Sequence, residues 1–386
     1  MFESNAPTLV YILDQKFEAY DVIDTFRSFI WADRYSQCGD FEIYIPATER
    51  SIDSFKKDDY VRFDGSDRYM IIENINLETD VEDGDYLIVS GRSLESILSR
   101  RIIWGMTVLS GNFQDEMEKL LNRNIISPSI PERKIPNFTF KRSDDPRITE
   151  STLEAQYFGE NLYDEVKRLC TEKKMGFRVM PVSPIGFEFS LYMGSDRSYA
   201  QDKNPWVVFS PKYENLLSSN YLSTLQNFKN ATLVGGQGEG WERKTVVVAA
   251  DDAKGLNRRE IFTDASDVAN DTTGIENDPD LSEDEKQHII DNMNEKYMDQ
   301  LRQKGDESLS ATKVVDLFDG EVDPYRQFVY GRDYNLGDIV QIENDYGMEV
   351  STRVSEVVFS HDESGKTMIP TFTVESNDGK EQAPWL

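Results

Sequence analysis

An α+β fold, mainly β, is what this sequence predicts: two antiparallel β-barrels, a mixed α/β region and a helical insertion. Three observations predict it. Residues 8–105 read as short strands separated by Asp/Gly turns. From about residue 112 to 205 the apolar spacing lengthens to that of helices. After residue 325 the strand pattern resumes, beyond a polar stretch poor in apolar side chains.

A chain of 386 residues is longer than one hydrophobic core comfortably supports, so several domains are expected. Residues 1–105 form the first barrel and 106–215 the α+β region. Residues 216–249 and 320–378 together form the second barrel, and 250–319 an acidic helical insertion packing with the α+β region. Residues 379–386 are a frayed tail.

Taken in order, Thr8 to Leu13 is β-rich and turns at Asp14-Gln15. Phe41 to Pro46 alternates apolar and polar with period two, so one face is buried and one wet. Tyr60–Phe63 and Tyr69–Ile72 flank Asp64-Gly65, a strong hairpin signal. Ile75–Leu77 and Tyr86–Ser90 flank a second such turn at Asp83-Gly84-Asp85, and Ser93–Leu98 reads as a closing helical turn.

Phe113–Leu121 fits a short amphipathic helix, and a second places Leu162, Val166, Leu169 and Cys170 on one face before Gly176 stops it. Phe177–Met180 and Phe187–Leu191 then form a hairpin, while Ser127–Pro146 reads as irregular connection. Ala231–Gly236 and Lys244–Ala249 are strands around a Gly-rich loop. Asp251–Asp280 reads as loop, and a helix capped by Ser282 runs to about Lys304 and stops at Gly305. Its apolar residues, Ile289, Ile290, Met293, Tyr297 and Leu301, make a narrow stripe. Gly337–Ile342 meets Met348–Val350 across Asp345-Tyr346-Gly347, and Arg353–Phe359 and Met368–Val374 are the last strands.

The charge is lopsided: 71 acidic against 42 basic residues, a net charge of -29. Binding to phosphates needs clustered Lys and Arg that release counterions, so sequence-specific DNA contact is not expected. Two readings of the acidity stand open: solubility through self-repulsion, or a wall that repels nucleic acid. Cys38 and Cys170 have no ligand-like spacing and suit buried thiols in a reducing cytosol. The N-terminus lacks the basic and apolar regions of a signal peptide, and no apolar stretch is long enough to span a bilayer.

Chemistry-bearing patterns are sparse. His288 falls on the insertion helix and His361 in a hairpin turn, so neither joins a nucleophile–base constellation. No Cys or His pair has zinc spacing. Gly235-Gly236-Gln237-Gly238-Glu239-Gly240 leads into a β-branched strand rather than a helix, so it is a wide turn and not a phosphate cradle. Asn277-Asp278-Pro279-Asp280 and Glu283-Asp284-Glu285 lack the Gly and terminal Glu of a calcium loop. No catalytic, cofactor-binding or metal-binding residue is assigned.

Several segments carry a family likeness. They are Gln37–Ile43, Ser90-Gly91-Arg92-Ser93-Leu94 with Arg100-Arg101-Ile102, Asn161-Leu162, Ala231–Gly240 and Gly331–Val340. In this order the chain resembles the tail-tip hub family of long-tailed phages. That family includes the N-terminal hub part of tail-associated lysins and prophage endopeptidase tail proteins, and shares its architecture with the contractile-phage baseplate hub. The resemblance implies a non-enzymatic virion protein at the tail tip, assembled in the host cytoplasm. It implies a homotrimer whose two barrels per subunit make a ring of six similar units. Such a ring docks on the hexameric distal tail ring protein, closes or extends the tail tube, and lets DNA pass without specific binding. The tape measure protein and receptor-binding or tail fibre proteins are further partners it implies, with no membrane insertion by this chain. Lysin-type members continue into a peptidase or carbohydrate-binding region, and this chain ends soon after its last strand. The alternative from another class is a carboxylate-based hydrolase of cell-wall or surface polysaccharide at the tail tip, with two facing acids. Arg100 and Arg101, unusual in so acidic a chain, either pair with carboxylates of a neighbouring subunit or form plain surface salt bridges.

Overall fold

The computed structural model describes residues 7–80, 84–182, 185–268, 282–312, 315–322, 327–346 and 349–374. The chain divides into two units, Met1–Tyr221 with Leu317–Leu386, and Leu222–Asp316.

The first unit opens with the predicted strands. β1 (Val10–Leu13) and β2 (Ala19–Ile23) turn at Asp14, whose carboxylate accepts from the Lys16 and Glu18 amides at 2.8 and 3.0 Å. β3 (Ser28–Arg34) and β4 (Asp40–Pro46) precede α1 (Glu49–Ser54), a helix held at its start by a Thr48–Ser51 capping box. β5 (Tyr60–Phe63) pairs with β6 (Met70–Asp80) around Asp64-Gly65, and β6 pairs with β7 (Gly84–Ser93) out to Asp80↔Gly84. A 3-10 helix over Leu94–Arg100 closes the region.

The α+β region comprises β8 (Thr107–Asn112), α2 (Phe113–Leu121), β9 (Phe138–Lys141), α3 (Pro146–Thr149), β10 (Thr152–Tyr157), α4 (Leu162–Glu172), β11 (Gly176–Val182) and β12 (Gly186–Tyr192). Asparagine starts both longer helices. Asn112 accepts from the Gln114 and Asp115 amides, and Asn161 from those of Tyr163 and Asp164, satisfying donors that a helix start leaves unpaired. Phe113, Met117, Leu120 and Leu121 face the same core as Leu162, Val166, Leu169 and Cys170. β9 is a departure from the irregular connection expected there: Phe138 and Phe140 give it period two, and it runs parallel to β12.

The remaining elements are β13 (Val208–Phe209), β14 (Leu216–Thr224), β15 (Ala231–Gly235), β16 (Thr245–Ala249), β17 (Glu260–Asp264), α5 (Glu283–Ala311), β18 (Val315–Val322), β19 (Ile339–Glu343), β20 (Glu349–Asp362) and β21 (Gly365–Val374). The strand sets expected as two separate barrels belong to one sheet, in the order β14-β18-β21-β20-β3-β4-β7-β6-β5-β1-β2. β13 pairs with β19, and β19 with β20. Among the described residues these pairings run between two end strands and do not close on themselves.

The physical cause is the length of β20. One edge pairs with β21 from Thr352 to Asp362, while the other takes β19 at Glu349–Arg353 and then β3 at Glu356–Asp362. The sequence pattern, stopped at Phe359, underestimates that reach. One hydrophobic core therefore serves both strand sets: Phe29, Trp31, Phe41 and Phe63 share it with Phe209, Tyr334, Val357 and Phe372.

The second unit holds a three-stranded sheet, β16-β15-β17, with β15 antiparallel to β16 and parallel to β17. This separates β15 and β16 from the C-terminal strands with which 216–249 had been grouped. It also makes a strand of Glu260–Asp264, in a stretch expected to be loop. α5 lays Tyr297 and Leu301 against Val234 and Val246, so this sheet takes up the apolar stripe that was expected to face the α+β region. The helix runs on through Gly305 to Ala311. Gly305 is a point of close approach instead of a stop: a Cβ there would lie 2.7 Å from a Val248 methyl and 2.9 Å from one of Val234. The expectations for Asn277–Asp280 and for the frayed tail fall outside the described residues.

Candidate functional site

Most of the segments quoted for the resemblance meet in one buried polar junction of the first unit. Tyr35, just beyond β3, is its centre. Its hydroxyl donates to the Lys174 and Tyr192 carbonyls at 3.1 and 3.3 Å. Its ring lies between Gly176 and Gly337, where an added Cβ would come within 2.4 and 2.3 Å of it. The Arg353 guanidinium is 5.2 Å from the ring centre and donates to the Gly337 carbonyl at 2.7 Å. Gly176 was expected to stop α4. The helix instead ends at Glu172, and Gly176 is small because Tyr35 and Tyr192 need the space.

Asp338, nearly fully buried, ties loop to loop. Its carboxylate accepts from the Ser195 and Asn335 amides at 2.7 and 3.0 Å and from Arg197 Nε at 2.8 Å. Near the first strand set, the Gly39 amide donates to Ser93 Oγ at 2.8 Å, and the Cys38 amide to Tyr163 Oη at 2.9 Å. Burial pushes the Cys38 thiol up and that of fully buried Cys170 higher still; both are free.

A buried charge group adjoins this junction. Arg68 donates to Glu95 and, at 3.0 Å, to Tyr192 Oη; Glu95 Oε1 also accepts from the Val179 amide at 3.1 Å. Glu95 Oε2 is buried and, among the described residues, has no hydrogen-bond partner. Asp33 accepts from Trp31 Nε1 at 2.8 Å and Ser66 Oγ at 2.6 Å. Burial raises the Asp33 carboxyl to about 6, against the opposing pull of Arg68, Ser66 and Trp31. No motif marks Asp33 on β3, Arg68 in the β5–β6 turn or Glu95 in the 3-10 helix; each is a charged residue among apolar neighbours.

The candidates for chemistry are dispersed. His361 sits on β20 and not in a turn, edge-on to Phe26 at 5.2 Å, with its pKa lowered by burial and by Lys366. His288 is exposed on α5 in the other unit. Gly235–Gly240 is the wide turn expected: the Gly236 amide bonds the Lys244 carbonyl at 2.9 Å, and Gly238 has φ +100°. Among the described residues no group of three or more His, Cys, Asp or Glu is placed to hold a metal ion, and no helix is long and apolar enough to cross a membrane.

Arg100 engages Asp58 at 2.8 Å. Arg101 does not; it lies against Arg133 on a surface pocket of about 400 Å³ bordered by Ile102, Trp104 and Ile130.

The fold is that of a phage tail protein. A tail protein from Neisseria meningitidis MC58 superposes with a TM-score of 0.54 at 12% identity, covering 96% of this chain and 97% of that one. A 43 kDa tail protein of prophage MuSo2 from Shewanella oneidensis gives 0.52 at 9% identity, over 95% and 98%. No curated protein matches this sequence. The chain belongs to the Siphovirus ReqiPepy6 Gp37-like protein family, which matches residues 9–372.

Proposed function

We propose that this chain is the hub subunit of a long-tailed phage tail tip, acting as a homotrimer that docks on the hexameric distal tail ring. Membership of a siphovirus family and the tail-protein fold support a role in the tail. The observation that carries the ring is β20, which joins two strand sets edge to edge within one subunit. Two such strand sets per subunit would give three subunits six docking edges, matching a sixfold ring with a threefold one. The hub then closes or extends the tail tube, meets the tape measure protein on one side and receptor-binding or tail fibre proteins on the other, and catalyses nothing. A surplus of 71 acidic over 42 basic residues supports passage of DNA without sticking.

Mass photometry of the purified chain, alone and with the distal tail ring protein, tests the assembly. A trimer, formed alone or templated by the ring, is expected. A dimer under both conditions contradicts the proposal. Incubation with cell-wall sacculi tests the non-enzymatic part: peptide or sugar ends released by the wild type, and lost on substitution of one carboxylate, would restore the hydrolase.

A further inference from the structure

Trp104, Met106 and Val108 are exposed beside buried Ile103 and Leu109, so the segment entering β8 carries large apolar side chains on both faces. In an antiparallel pair such as β8–β10 the face left to solvent is normally polar. Here one side is open: Trp104 is 59% exposed, Met106 and Val108 50%, and Phe158, just past β10, 67%. The β8–β10 register, Thr107↔Tyr157 and Val108↔Gln156, brings Phe158 beside this row. Contiguous apolar surface of this kind marks an interaction site.

The pocket holding Arg101 and Arg133 adjoins Trp104. Arg101 donates to the Arg133 and Arg100 carbonyls at 2.9 and 2.8 Å. Arg133 donates to the Ile102 carbonyl at 2.6 Å and Asn124 Oδ1 at 3.2 Å, and stands 5.0 Å from the Trp104 ring centre. All these acceptors are neutral. Glu132 also borders the pocket, yet among the described residues neither guanidinium has an ion-pair partner. Burial and the Arg101 charge both lower the Arg133 pKa. Two crowded cations beside exposed aromatics and Met have the make-up of an interface centre, where Trp, Tyr and Arg carry most of the binding energy.

We propose that this pocket and the apolar row beside it seat a carboxylate-bearing surface of a second copy of this chain. The choice of occupant follows from charge: with 71 acidic residues against 42 basic, a neighbouring copy offers carboxylates in surplus. A twofold contact through the patch would set arginines against arginines. The contact is therefore heterologous, patch against a different acidic surface, and such contacts close into rings when the rotation is right. The inference rests on the ring reading above and adds its interface.

The test uses the full chain with a photo-crosslinking residue at Met106, the double variant Arg101→Glu/Arg133→Glu, and, separately, Phe158→Ser. Self-association is followed by sedimentation at low salt and at roughly 0.5 M salt, where exposed charge pairs are screened, alone and with the distal tail ring protein. The expected result is a cyclic oligomer weakened by salt and by about tenfold or more in either variant, with melting unchanged in Phe158→Ser. The crosslink should reach an acidic peptide of another copy. If oligomers form but the variants and the crosslink do not touch them, the patch is not the interface and the ring survives. Met106–Met106 crosslinks, or crosslinks to the tail ring protein alone, overturn a heterologous second copy. No self-association under any condition overturns both this inference and the trimer.

Discussion

The two units solve the same problem, burying a sheet face, at different depths. In the first, the sheet and the α+β region have large cores stitched together by buried polar groups around Tyr35, Arg68 and Asp338. In the second, one face of β16-β15-β17 is covered by α5 through a small core that includes Val234, Val246, Tyr297 and Leu301. The other face leaves Leu233, Val247 and Phe262 side by side and exposed. A polar group inside the first unit must keep its partner or strand a charge, whereas the second relies on a few apolar contacts. The lesson is that specificity is concentrated in the first unit and replaceable packing in the second.

Four measurements would break or sharpen this contrast. Arg68→Met should have the largest effect, because it leaves Glu95 buried with an uncompensated charge. A loss of about 3–5 kcal/mol is expected from denaturant unfolding of the first unit. A loss near zero would mean that the buried pair does not anchor the junction. Leu301→Ala removes a fully buried side chain from the small core and should cost about 2–4 kcal/mol. Hydrogen exchange should show that cost in 222–316 while the first unit stays protected; a global loss would merge the two units.

The third measurement concerns Asp33, whose carboxyl at about 6 lies above its ordinary value of 3.8. The native state then binds a proton that the unfolded chain has released, so this group's contribution falls as pH rises from about 4 to 7. Asp33→Asn should remove that slope, and the wild type should lose up to about 3 kcal/mol relative to the variant across the window. Parallel profiles would sink the assignment. The smallest expected effect is Gly305→Ala. Alanine favours a helix over glycine by about 1 kcal/mol, but here the new methyl meets Val248 and Val234. A net loss of about 1 kcal/mol by thermal melting is expected, and a gain would show that α5 can lift off its sheet.

Local signals were legible wherever the chain itself carries them. Asp/Gly turns marked the β5–β6 and β6–β7 hairpins, and Asn161 before a Leu-Val-Leu-Cys face marked α4. Partnership was not legible, because nothing in Val357 says that its neighbour is Asp33 and no period distinguishes β16 paired with β15 from β16 in a barrel. Gly176 and Gly305 misled for one reason: a glycine that admits a ring or a methyl looks, in sequence, like one that ends a helix. The junction was legible only as scattered motifs, with Gly337-Asp338 in view and Tyr35 unremarked. Arg101 stood out by its charge, but Arg133 and the open side of Trp104-Met106-Val108 required three dimensions.

β14 and β18 are neighbours in the long sheet, so the strand that leads into residues 222–316 and the strand that leads out of them lie side by side, about 5 Å apart as paired strands do. In genetic terms that stretch is a cassette. Its two ends fit a short turn as readily as a whole folded piece, the circumstance in which insertions and excisions are tolerated. A lineage of phages can therefore lengthen, exchange or discard it while the long sheet is inherited intact.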